Sequence, residues 1–161
     1  MLGPKIQGAP DAIEPKARAR EIEQAQRFAL RPEATVVYLG QAAKQKFNSP
    51  PAEKFPDVVA CLDKNDIALG EGKGTDMGKV VQQFESAGRR IGTAGQVTVQ
   101  EVVVEKLIDS EFTDATGRKI QLAGPGYGVD AQGYLLDMRG PGPNWSQQFA
   151  NGLPIKVIVM R

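Results

Sequence analysis

The sequence has no histidine and a single cysteine. Histidine supplies most proton transfer at neutral pH and is the commonest metal ligand. Its absence removes ordinary zinc sites and every nucleophile that depends on a histidine base. Cys61 alone cannot form an internal disulfide, and its setting, Val58-Val59-Ala60-Cys61-Leu62, suits a small buried hydrophobe. The first residues lack the apolar run of a signal peptide, and no stretch reaches the roughly 18 to 20 apolar residues of a membrane span. Cytosolic synthesis and no membrane partner are expected. A charge excess is missing as well: 20 Lys+Arg against 19 Asp+Glu leave a net charge of +1. A protein that coats nucleic acid usually shows a strong basic surplus, so nucleic acid is not an expected partner, although a local basic patch stays open.

Hydrophobic residues make up 41% and charged residues 24%, an ordinary globular composition able to bury a core. Proline divides the chain. Seven of the eleven fall at or before Pro56, the other four at Pro125, Pro141, Pro143 and Pro154, and none between Asp57 and Gly124. The central stretch can therefore hold uninterrupted helices and strands. The organisation expected is an extended leader and helical arm over 1–32, then a single α+β domain over 33–161. That domain carries one amphipathic helix and a mainly antiparallel C-terminal sheet.

In the arm, Asp11 is a plausible cap, Pro15 suits a first helical turn, and 16–30 is rich in helix formers. Ile22, Ala25, Phe28 and Ala29 form a narrow apolar stripe among charges, which fits a helix docked on a partner or packed on its own domain. Residues 34–39 read as a strand, 48–51 as an irregular connection, and 58–62 as a short apolar run of either type. Thr75 resembles an N-cap, followed at helical spacing by Met77, Val80, Val81, Phe84 and Ala87, with Gly88 or Gly92 as the stop. From Gln96 the valines favour strand, a hairpin is expected over 112–118, and further strands over 119–122, 134–136 and 155–159. No internal repeat is evident.

Several constellations bear on chemistry. Gly70-Glu71-Gly72-Lys73-Gly74-Thr75 ahead of a helix could cradle an anion, but Ile67 stands where a phosphate-binding P-loop needs glycine. Asp63-Lys64-Asn65-Asp66 opens like a calcium loop and fails at Ile67 and Ala68. Asp109 and Glu111 would share one strand face, with Asp114 close by and Arg118 and Lys119 across the turn to neutralise them. None of Ser49, Ser86, Ser110 and Ser146 lies in a nucleophile motif. Tyr127, Tyr134 and Arg139 give only a faint aromatic and basic pattern, while Gly/Pro-shaped loops present Tyr127 and Trp145 as contact anchors.

The sequence thus leads to a non-enzymatic structural or assembly protein, in concrete form a phage virion component such as a head-decoration or head–tail protein. Ile22, Phe28, Tyr127 and Trp145 are its expected contact residues, other protein subunits its partners, and no catalytic residue, cofactor or metal is expected. Two alternatives remain: an anion- or nucleotide-binding enzyme built on the 70–75 segment and carboxylates, and a nucleic-acid accessory module using the arm's arginines.

Overall fold

A computed structural model of the chain describes residues 3–50, 53–72, 76–108, 110–140 and 145–160. The fold is α+β. Its centre is a six-stranded mixed sheet of β1 (Ile6–Gly8), β2 (Ala34–Leu39), β3 (Val58–Leu62), β4 (Asp66–Gly72), β5 (Gln96–Val104) and, at the far edge, β13 (Lys156–Val159), in the spatial order β1-β2-β3-β4-β5-β13. Helix α1 (Pro15–Ala29) links the parallel pair β1 and β2, and α3 (Met77–Ile91) links the parallel pair β4 and β5. Between them β2, β3 and β4 form an antiparallel run, and α2 (Gln41–Lys46) connects β2 to β3.

Strand alternation divides the core. Val58, Ala60 and Ala68 pack with Phe28 and Ala25 of α1. Val59, Ile67 and Leu69 pack with Met77, Val80 and Phe84 of α3. The two clusters therefore lie on opposite faces of the sheet, as the twofold period of a strand requires.

The chain leaves the sheet after β5 and returns only at β13. The excursion builds an antiparallel meander of β6 (Glu111–Thr113), β7 (Lys119–Gly124), β8 (Tyr127–Asp130), β9 (Leu135–Asp137) and β10 (Ser146–Gln147), then the small hairpin β11 (Phe149–Ala150) and β12 (Leu153–Pro154). Two of its turns are chemically the same. Asp114-Ala115-Thr116-Gly117 is followed by Asp114 Oδ1 accepting from the amides of Thr116 and Arg118, both at 2.9 Å. In Asp130-Ala131-Gln132-Gly133, Asp130 Oδ1 accepts from the amides of Gln132 at 3.0 Å and Tyr134 at 2.9 Å. The two turns share the pattern Asp-Ala-x-Gly.

The segment expected to form a leader and arm does not stand apart. Residues 6–8 pair with β2, and α1 lies over the sheet with Glu21, Gln24, Ala25 and Phe28 buried. The buried stripe is rotated from the expected one because two polar side chains, Glu21 and Gln24, belong to it. Glu14, not Asp11, caps the helix, its carboxylate accepting from Lys16 N at 3.1 Å and Ala17 N at 2.8 Å. Asp76 caps α3 through Lys79 N at 3.3 Å, and Gly92 ends it. Thr75 lies outside the described residues.

Candidate functional site

The four expected contact residues are not brought together on one surface. Phe28 is fully buried under α1 against the sheet, because helix and sheet approach closely there. Tyr127 is buried in the other core cluster, its ring capped by Arg139 at 5.2 Å. Ile22 is half-buried on α1. Trp145 is half-buried too; its ring meets Phe112 edge-on at 6.5 Å, and its carbonyl accepts from Arg118. Phe28 and Tyr127 are therefore parts of this chain's own core rather than contact anchors.

The Gly70–Thr75 segment is also not what its glycines suggested. Gly70 and Gly72 belong to β4 and not to a loop, and they are needed because α1 crosses directly over them. A Cβ at Gly70 would come within 2.8 Å of a Phe28 ring carbon, and one at Gly72 within 2.8 Å of Arg20 Cβ. Lys73 and Gly74 lie outside the described residues. So does Asp109, which leaves its pairing with Glu111 outside the description. Glu111 itself is exposed beside Lys119 at 3.8 Å, and Asp114 is bound by Arg118 at 2.9 Å. These are the turn-neutralising pairs expected from sequence.

A different set of carboxylates gathers at this end of the strands. In the β3–β4 register Val58 faces Gly70, and Asp57 lies just ahead of β3. The Gly72 amide donates to Asp57 Oδ2 at 3.3 Å and the Gly40 amide to the Asp57 carbonyl at 2.9 Å. Glu71 lies in the row of Leu69 on the α3 face, whereas the Asp57 side chain meets that of Glu21 from α1.

Glu21 is buried, and its side chain shares a hydrogen bond with that of Asp57 while accepting from Ala12 N at 3.2 Å. Burial, then the charge of Asp57 and the shared hydrogen bond, push its pKa from 4.5 up to about 8. Glu21 thus keeps its proton at neutral pH. Asp57 is half-buried, so the site is open to solvent on that side, whereas Glu71 is buried. Among the described residues no three His, Cys, Asp or Glu side chains stand together as a complete ligand set. A Mg²⁺ ion does not require one: it keeps several waters and is commonly held by one or two carboxylates together with substrate phosphate.

Sequence inspection passed over this site because its residues come from a helix, a strand start and a strand end. One signal was available. Glu71-Gly72-Lys73 at the end of an apolar run pairs an acid with an amine two residues on, and Asp57 opens the preceding run. Read as strands, those runs point to one place. The chain matches no family model, no curated protein and no solved structure.

Proposed function

We propose that this protein is a hydrolase of phosphate esters that works with a divalent cation held by Asp57 and Glu21. The observation that supports it is the side-chain contact of the buried Glu21 carboxyl with the half-buried Asp57 carboxyl just ahead of β3. Two carboxylates forced together are the arrangement a hard cation relieves, because it replaces the proton and neutralises both charges. A chain without histidine and with one half-buried cysteine offers oxygen ligands, which select magnesium or manganese over zinc. Such ions bind phosphate oxygens, which points the site to phosphate esters.

The cation supplies Lewis acidity and a more acidic bound water. The chain's own contribution is positional. The Gly72 amide fixes one oxygen of Asp57, and the Ala12 amide fixes one of Glu21. Water adds to phosphorus, the ester P–O bond breaks, and the departing oxygen takes up a proton.

The test is hydrolysis of bis(p-nitrophenyl) phosphate and of plasmid DNA with Mg²⁺ or Mn²⁺. Turnover should require the cation, stop with EDTA, and fall at least about 100-fold in Asp57→Asn with the fold retained. Absence of turnover, together with no cation-induced change in thermal stability, overturns the proposal.

A second reading, a part of a larger protein assembly, is favoured by Leu30, which is 83% exposed beside a groove lined by Pro4, Ile6 and Ala29. A contiguous apolar surface of this kind suits a contact. Sedimentation of the intact chain tests it: a monomer at all concentrations removes it, and self-association abolished by Leu30→Ser supports it.

A further inference from the structure

The β11–β12 hairpin carries the one Asn-Gly pair of the sequence, Asn151-Gly152. Ala150 faces Leu153 across the turn, and the two residues between them are left-handed, with φ of 55° and 77°. Asparagine and glycine are the residues that such a turn favours. The Asn151 side chain goes further than the turn requires. Its Nδ2 donates to the Phe84 carbonyl at 2.8 Å and to Gln100 Oε1 at 3.0 Å, while the backbone amide of Asn151 donates to Glu85 Oε1 at 2.9 Å. Gly88 leaves room for it, since a Cβ there would collide with Asn151 Oδ1. One residue thus ties the hairpin to α3 and to β5.

The tie accepts an amide and rejects an acid. Gln100 is buried, and its Nε2 is spent on the carbonyls of Ala150 at 2.9 Å and Leu153 at 3.3 Å. Its oxygen is therefore the atom turned toward Asn151, and the Phe84 carbonyl can only accept. Both partners demand a donor. A carboxylate at 151 would set an oxygen against two acceptors, beside the carboxylate of Glu85, and would forfeit both bonds.

Asparagine is chemically labile, and most so before glycine, where no side chain shields the next amide. The Gly152 nitrogen gives up its proton and attacks Asn151 Cγ. The Cγ–Nδ2 bond breaks, ammonia leaves with that proton, and a cyclic imide remains. Water, the only co-reactant, opens the imide at either carbonyl to give aspartate or isoaspartate. Ring closure joins Gly152 N to Asn151 Cγ, which the left-handed turn and the tethered amide both resist. The reaction therefore proceeds from the opened hairpin.

We propose that Asn151 is a deamidation site which folding holds closed, and that its conversion unfastens the β11–β12 hairpin from α3 and β5. Each opening of the hairpin exposes the pair, and each conversion removes the donor needed to close it again. Ala150, buried in the core cluster of α3, then loses its anchor.

The test incubates the intact chain at mildly alkaline pH, folded and in unfolding urea, and follows the mass and charge of the peptide that contains Asn151. Conversion should proceed in urea and be at least about tenfold slower in the folded chain. Glu85→Ala, which frees the Asn151 backbone amide, should bring the folded rate toward the urea rate. The converted chain, separated by its added negative charge, should exchange its hairpin amides at least about tenfold faster, while β3 and β4 keep wild-type protection. Asn151→Asp, made directly, should reproduce that exchange pattern. No conversion in urea overturns the site. Equal rates in urea and in the folded chain, or no acceleration in Glu85→Ala, overturn the closure by folding. Unchanged hairpin exchange in the converted chain and in Asn151→Asp, or protection lost throughout the fold rather than at the hairpin, overturns the unfastening.

Discussion

The carboxyl pair makes the stability of this protein depend on pH in a range where few proteins of its composition would show any dependence. With no histidine, nothing but the α-amino group ordinarily titrates between pH 5 and 8. Glu21 enters that range because burial and Asp57 raise it from 4.5 to about 8. The folded chain keeps a proton that the unfolded chain releases near 4.5. The contribution of this group is therefore complete below pH 4.5 and is lost as pH rises toward 8. One unit of difference corresponds to 1.36 kcal/mol, so the loss between pH 5 and 8 is at most about 4 kcal/mol. For a chain of this size that is roughly 10 °C in Tm. Asp114 and Asp137 are held low, chiefly by hydrogen bonds from the Thr116 hydroxyl and the Arg139 guanidinium respectively. Their effects fall in acid, outside this window. Glu21→Gln keeps a donor for Asp57 and removes the proton. Its Tm should be nearly flat from pH 5 to 8 and should exceed that of wild type at pH 8. A wild-type Tm that does not fall across this range, or a fall that survives in Glu21→Gln, refutes the shared-proton pair.

Two further outcomes test the packing around the site. Gly70→Ala should destabilise by about 1–3 kcal/mol, read by urea denaturation, because the added methyl meets Gln24 and Phe28 where α1 crosses β4. Glu101→Ala should cost about 1–3 kcal/mol in the same assay. Its carboxylate takes hydrogen bonds from Gln24 Nε2 at 3.1 Å, Arg27 Nε at 3.3 Å and Arg31 at 3.2 Å, and its removal leaves the buried Gln24 amide without its acceptor while the part-exposed arginines regain water.

The elements with strong local signals were legible in the sequence. The Pro15 start and the Met77, Val80, Phe84 and Ala87 spacing give α1 and α3, and valine density gives β5 and β13. The attachment of α1 was not legible, since two of its four buried residues are Glu21 and Gln24, which a hydrophobicity pattern counts as surface. Their burial is stabilised by partners distant in sequence, Asp57 and Glu101. The same cause hid the candidate site. The glycines of the 70–75 segment draw notice to the strand end of the candidate site for a different reason: Gly70 and Gly72 serve helix packing.

The return of the chain at β13 bears on how the protein is made. Strands β1 to β5 and both long helices lie ahead of the meander, so the carboxylate end of the sheet is complete in sequence before residue 105 leaves the ribosome. Strand β13, which pairs with β5 from Lys156 to Val159, comes last. Until it arrives, β5 presents an unpaired edge bearing Val102, Val103 and Val104, and such edges recruit other chains. Closure also waits on a long loop, the slow kind of contact in folding. The nascent protein should therefore be most prone to aggregation between synthesis of β5 and of β13, and a chain cut before β13 should fold its site yet fail to remain monomeric.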